Sequence, residues 1–335
     1  MVRSFLGPLL ALAVAYLSSA MGDDSSLQLY GINYNTRIGP DWESADKKCK
    51  TADAIDADLK VIASVTQRIR IYSLTDCNQG ALVLAAAKRQ GLQVELGLWV
   101  SKDESVFLAE KARLVELITT SGLITKQLVT AIHVGSEAVY RKDVTAAQNI
   151  EYMNQIKKIV TDQVLKIPVT IADIGDNIEY MTQIKKIVTD QALKIPVTIA
   201  DIGDVYIAHP ELVDAVDFVS ANGFPFWENK PVVGAAAYFQ SRMQPLMDMA
   251  KEKKKEFVIS ETGWASDGVN VNASIASPGN AAQYFKEFYQ LAVDRKWSYY
   301  YFEAFDEPWK IVRDPHNTVE GISPRNFKER FSKRS

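Results

Sequence analysis

Short apolar runs rich in β-branched and aromatic residues return along this chain at regular intervals, and between most of them lie stretches whose apolar residues are spaced three and four apart. The runs are Leu27–Tyr34, Arg68–Ser73, Val94–Val100, Val129–Gly135, Val169–Ala172, Val197–Ala200, Phe218–Asn222, Phe257–Ser260 and Tyr299–Phe305. Helical spacing is clearest over Ala52–Ser64, Gly80–Gln90, Glu104–Thr120 and Ala281–Asp294. Strands that alternate with amphipathic helices build βα units, and consecutive βα units pair in parallel. The fold class expected is therefore α/β. Nine strand candidates are one more than a closed (β/α)8 barrel requires.

The surplus strand has a visible origin. Residues 149–176 recur almost unchanged as residues 177–204, with differences only at Asn154/Thr182 and Val164/Ala192. Two adjacent copies this alike do not make a solenoid, which needs at least three repeats and shows more drift. Each 28-residue copy holds one amphipathic helix, with Ile150, Met153, Ile156, Ile159 and Val160 on one face, and one strand, Ile167–Ala172. The duplication thus inserts a complete helix-strand step. The expectation is that eight strands close and that one helix-strand unit is extruded from the barrel or perturbs it. In the preferred arrangement helix 149–165 follows its normal predecessor and strand 195–201 precedes its normal successor, and the segment between them bulges out.

Arg3, the apolar run Phe5–Leu17 and the small residues Ser18-Ser19-Ala20 read as a secretory signal over residues 1–20. Its apolar run is shorter than the roughly 20 residues that span a bilayer, and no later segment is longer, so no membrane span is expected. With no Gly/Pro/Ser-rich linker, residues 21–335 are expected to form one domain, and a monomer. Secretion makes Cys49 and Cys77 a candidate disulfide and the sequon Asn272-Ala273-Ser274 a candidate glycosylation site. The expected location is extracellular or in a cell wall. With 38 basic and 41 acidic residues the chain lacks the electropositive footprint of a nucleic-acid binder.

In a parallel barrel the site forms at the C-terminal ends of the strands. Glu137 ends one run there, after Ala131-Ile132-His133-Val134-Gly135-Ser136, and Glu261 ends another, after Phe257-Val258-Ile259-Ser260. A carboxyl pair is what glycosidic cleavage needs, one to protonate the leaving oxygen and one to attack or to guide water. Either glutamate alone could as well be a salt-bridged or capping carboxylate. Aromatic residues gather at the same ends: Tyr34, Tyr72, Trp99, Tyr140, Phe224, Phe226, Trp227, Trp264 and Trp309. About half of them are expected to line a cleft and the rest to fill the core. His133 reads as a hydrogen-bonded core residue. No phosphate loop, zinc helix, nucleophile elbow or dinucleotide fingerprint occurs, so neither cofactor nor metal is expected.

These motifs carry a resemblance. GINYNTR (Gly31–Arg37), RIRIYS (Arg68–Ser73), VGSEAVYR (Val134–Arg141), SANGFPFW (Ser220–Trp227), ISETGW (Ile259–Trp264) and FEAFDEPWK (Phe302–Lys310) appear in the order found in glycoside hydrolase family 17, the β-1,3-glucanases. The chain is similar to the secreted microbial members. The resemblance implies a (β/α)8 TIM barrel, retention of anomeric configuration, Glu137 as acid/base on the fourth strand and Glu261 as nucleophile on the seventh. It implies Glu307 and Lys310 as a supporting acid and lysine, and Tyr34, Tyr72, Ser136, Asn222, Phe224 and Trp264 as supporting or substrate-binding residues. Many relatives carry Asn where this chain has Ser136, and a hydroxyl reaches less far than an amide. The expected activity is hydrolysis of β-1,3-glucan with endo action favoured; glucan transfer, or glucan binding without turnover, are the alternatives. Activity hinges on the duplication: a ninth strand between the glutamates would displace them by up to about 4.8 Å, and a retaining pair must sit about 5 to 5.5 Å apart.

Overall fold

The computed structural model describes residues 28–162, 195–307 and 309–310. The leader expected over residues 1–20, the strand expected over residues 169–172, the helix-strand unit expected to be extruded and the junction between the two copies lie outside the described residues. Eight strands close into one parallel barrel: β1 Gly31–Asn33, β2 Arg68–Arg70, β3 Gln93–Leu98, β4 Val129–Ser136, β5 Val197–Ile202, β6 Val219–Asn222, β7 Phe257–Thr262 and β8 Ser298–Tyr301. Each pairs with its neighbours in sequence, and β1 closes on β8. The (β/α)8 expectation therefore holds.

The helices are α1 Ala45–Lys48, α2 Ala52–Ile62, α3 Gln79–Gln90, α4 Glu104–Thr119, α5 Ala146–Asp162, α6 Gly203–Ala208, α7 Pro210–Ala215, α8 Ala235–Glu252 and α9 Pro278–Arg295. Their starts follow local chemistry. Thr51 accepts from the Ala54 N–H, Asp103 from Ser105 and Ser277 from Asn280, each side chain satisfying a donor that the first helical turn leaves free. Besides the four-residue α1, helices α6, α7 and α8 have no counterpart among the helical segments expected from apolar spacing. The first two are only six residues long, and Pro245 interrupts the third.

The duplicated segment is divided between the two kinds of element. Helix α5 comes from the first copy, burying Met153, Ile156 and Val160, and β5 comes from the second. Strand β5 sits between β4 and β6, with Ile132 opposite Val197 and Ala200 opposite Ser220. Among the described residues the closed barrel has one fifth strand and no ninth.

Side chains alternate between the helix layer and the barrel interior. Ile132, Val134, Val219, Ala221, Ile259 and Tyr299 belong to the large core between strands and helices. Their neighbours Ala131, Phe218, Val258 and Tyr300 form a separate small apolar cluster inside the barrel. Beyond that cluster the interior turns polar. His133 Nε2 lies 2.6 Å from Glu95 Oε2, and His133 Nδ1 lies 3.3 Å from Ser220 Oγ. His133 is fully buried, which pushes its pKa down.

The alternation breaks where the glutamates stand. Pairing shifts between His133 and Ser136 in β4 and between Ile259 and Thr262 in β7. Ser260 and Glu261 consequently both reach the interior, while Thr262 turns out to meet the Tyr284 hydroxyl at 2.6 Å. Such irregularities re-aim side chains and are common beside active sites. Gly135, at φ 82°, adopts the left-handed backbone that the β4 shift needs, and a Cβ there would also press on the Asn149 amide at 3.3 Å.

Deleting residues 163–190 would join Asp162 to Gln191 and leave six residues before β5, an ordinary helix-to-strand length. This variant should fold to the same barrel with a melting temperature no lower than that of the full chain, as circular dichroism would record. Loss of cooperative melting would show that the second half of the first copy and the first half of the second are needed.

Candidate active site

The site begins with Arg70. An arginine in a strand closed on all sides must find anions or carbonyls, because a guanidinium does not lose its proton and carries five donors. Arg70 is fully buried. Its Nη1 donates to Glu261 Oε1 at 2.8 Å, to Asn33 Oδ1 at 3.2 Å and to the Ser260 carbonyl at 3.3 Å, and Nη2 donates to Ser136 Oγ at 3.3 Å. One side chain on β2 thereby ties β1, β4 and β7 together. Ser136 Oγ also donates to Glu261 Oε1 at 3.3 Å. The serine that replaces the expected asparagine is thus occupied in holding Glu261.

Glu261 is 7% exposed and sits in β7 opposite Asn222 of β6. Asn222 Nδ2 donates to Glu137 Oε1 at 2.9 Å, and Asn222 Oδ1 accepts from Ser260 Oγ at 2.6 Å. Glu137 follows β4 directly at φ 54°. Its N–H donates to the Ala200 carbonyl at 2.9 Å. Burial, and then the charge of Glu261, push the Glu137 carboxyl up to about 7, against the opposing bond from Asn222. The two glutamates that the sequence singles out meet in one site, linked through Ser136 on one side and Asn222 on the other.

A second acidic group borders the first. Lys310 Nζ pairs with Glu307 Oε2 at 2.6 Å, and Asn35 Nδ2 donates to Glu307 Oε1 at 2.7 Å. Glu303 lies 4.0 Å from Lys310 Nζ. Burial first, and Glu307 next, raise its pKa well above the usual carboxylate range. Arg37 lies over the Trp309 ring and pairs with Asp76, which anchors the loop after β1 to the loop after β2. The Cys49–Cys77 disulfide joins the same two loops.

The aromatic residues divide as their surroundings dictate. Tyr72 lies under the Arg70 guanidinium at 4.8 Å, and its buried hydroxyl has no partner among the described residues. Burial, then Glu261, raise its pKa. Phe224 is half-buried against Phe302, whereas Tyr140 and Trp227 are exposed. Tyr34 is a correction to the substrate-binding expectation. It is fully buried, and its hydroxyl donates to Asp58 at 2.9 Å, alongside the Lys50–Asp58 ion pair. Phe226 is likewise core, and Trp264 gives its indole N–H to the Ile275 carbonyl while packing on Phe226 and Tyr284.

Sequence reasoning missed Arg70, Asn33, Ser260 and Asp201 as site residues. For Arg70 a signal was present, a permanent cation between two isoleucines in a strand-like run. Asp201 accepts from the Val139 N–H at 3.0 Å and reaches the turn that carries Glu137.

The parallel barrel thus holds one carboxyl just after β4 and another in β7, and comparison with known proteins gives the family. The family model of the BtgE/BtgC glycoside hydrolase domain matches residues 31–179 and 173–322, two segments that overlap across the junction of the two copies. A glucan 1,3-beta-glucosidase of Saccharomyces cerevisiae is 31% identical over 283 residues, covering 82% of each chain. A probable glucan endo-1,3-beta-glucosidase btgC of Aspergillus fumigatus is 29% identical over 84% of this chain and 39% of its own length. Among solved structures, the glycoside hydrolase family 17 beta-1,3-glucanosyltransferase of Rhizomucor miehei has a TM-score of 0.67 at 27% identity, covering 88% of this chain and 92% of that one. The chain belongs to glycoside hydrolase family 17, as a BtgE/BtgC-type glycoside hydrolase domain.

Replacing Arg70 with Met leaves Glu261 buried without its counter-charge, a loss of about 3–5 kcal/mol for a broken buried pair. Chemical denaturation of Arg70→Met should show a loss of that order. The double variant Arg70→Met/Glu261→Gln should regain part of it. Equal stability of the two variants would show that the pair is not coupled.

Proposed function

We propose that this protein is a retaining hydrolase of β-1,3-glucan, with Glu137 as acid/base and Glu261 as nucleophile. The observation that carries the reading is the difference between the two carboxyl environments. Glu137 is held at about 7 by burial and by the nearby anion. Glu261 receives an ion pair and a hydroxyl bond on Oε1. Environments that separate two carboxyls in this way distinguish an acid from a nucleophile.

In the first step Oε2 of Glu261 attacks the anomeric carbon, the glycosidic C–O bond breaks and Glu137 gives its proton to the leaving oxygen. Arg70 and Ser136 hold the other oxygen of Glu261 throughout. Glu137, now ionised, takes a proton from water as that water attacks the anomeric carbon, which breaks the bond from that carbon to Glu261 Oε2, releases the sugar and restores both groups. Half-buried Phe224 offers an aromatic surface for the flat CH faces of a glucosyl unit.

Transfer to an acceptor sugar uses the same two groups and is the second reading, favoured by the likeness to a glucanosyltransferase. Product analysis at high acceptor concentration separates the two. Residues 1–20 read as a secretory leader, so we place the enzyme outside the cell, where the exposed Asn272 is open to glycosylation.

Glu261→Gln should abolish laminarin cleavage with binding retained, and undiminished turnover would sink the assignment. The pH profile should fall on its alkaline side near 7, because Glu137 must carry its proton into the first step. Stability should respond to the same group. A carboxyl whose folded pKa is raised adds stability below its unfolded pKa and loses it as pH rises through the folded one. Glu137→Gln should accordingly melt higher than the wild type at pH 8 and show no such gain at pH 4.

A further inference from the structure

The turn after β4 presents a problem that the residues of the turn do not solve. Glu137 stands at φ 54°, and the next residues coil once, with the Arg141 N–H donating to the Glu137 carbonyl and the Asp143 N–H to the Ala138 carbonyl. The first amides of such a coil have no partner within it, and they need an acceptor from outside. Asp201 supplies one from the neighbouring strand. Its Oδ2 accepts from the Val139 N–H at 3.0 Å and from the Tyr140 N–H at 3.4 Å. Its Oδ1 accepts from its neighbour Ile202 at 2.9 Å, so both oxygens are engaged and the rotamer is fixed. Asp201 is fully buried.

We propose that Asp201 is the positioning residue for Glu137: from β5 it caps the coil that carries the acid/base, and this duty falls on the second copy of the repeat alone. The inference rests on Glu137 being the acid/base. It follows from where the strand slot is filled. Asp173 occupies the matching place in the first copy, but Asp201 is the aspartate in β5, the strand beside β4.

The charges around the cap give it a second effect. Glu137 and Arg141 face Asp201 from the coil, and Tyr206 faces it from α6; Glu261 and Asn222 face Glu137 from β7 and β6. Burial pushes Asp201 up to about 6, with its three amide bonds and Arg141 opposing, and its anion helps to keep the proton on Glu137. Removing that anion should release the Glu137 proton at lower pH.

The test uses the full chain and three variants. Asp201→Asn keeps an acceptor and removes the charge, Asp201→Ala removes both, and Asp173→Ala is the control. On laminarin, Asp201→Ala should lower kcat by about 10- to 100-fold with KM within about twofold, while Asp173→Ala matches the wild type. Asp201→Asn should move the alkaline limb of the kcat profile to lower pH. Carbon-13 NMR titration of the Glu137 carboxyl should show the same downward movement without any turnover. It therefore decides the role of Asp201 even if Asp201→Ala does not fold, or if the wild type leaves laminarin intact and the proposed function falls. A folded Asp201→Ala with kcat within twofold of wild type, an equal loss in Asp173→Ala, or an unmoved Glu137 titration in Asp201→Asn would each overturn the proposal.

Discussion

The site depends on one buried cation. A desolvated guanidinium needs partners, and both amino groups of Arg70 find them in the Glu261 carboxylate, the Ser136 hydroxyl and the Asn33 and Ser260 carbonyl oxygens on β1, β4 and β7, while Nε has none among the described residues. The partners on β4 and β7 are distant from Arg70 in sequence and not adjacent to β2 in the ring, so they reach it only across the interior of the closed barrel. The site exists only in the closed ring. Arg70 holds Glu261 in place, and Glu261 is the anion that offsets the burial of Arg70. Below this pair the interior is filled by the Glu95–His133–Ser220 chain and then by apolar residues. The lumen thus grades from a dry floor to a charged rim.

Against that demand the duplication is a smaller perturbation than its length suggests. What the ring requires between β4 and β6 is one strand with apolar residues toward the helices and an aspartate at its upper end. Either copy carries those residues. The arrangement satisfies the ring by taking the helix from the copy nearer β4 and the strand from the copy nearer β6. Each element then keeps its normal neighbour in sequence.

Much of this was legible beforehand, for definite reasons. Apolar runs separated by amphipathic stretches announced the strands, and the two glutamates stood out because a carboxylate ends an apolar run abruptly. The misses have reasons too. Tyr34 looked like a cleft residue because it follows a strand, but a hydroxyl within 2.9 Å of Asp58 is already committed. The body of helix α8 did not show in the apolar spacing because a proline interrupts its pattern, although the charged run from Lys251 reads as a solvated helix end. Asp201 escaped because its partners are backbone amides, which leave no mark in the side-chain pattern. The direction of Glu261 was beyond any period-two reading, since the strand changes step beside it.

That change of step bears on how such a site can be gained or lost. In β7, Ser260 and Glu261 both reach the lumen because pairing slips between Ile259 and Thr262. A point substitution alters what is presented at those positions. Removing one residue would alter which position is presented, turning a carboxylate from the lumen to the helix layer while leaving every other side chain chemically intact. The genetic event to which this centre is most exposed is therefore a small insertion or deletion inside a strand, a change of phase and not of composition.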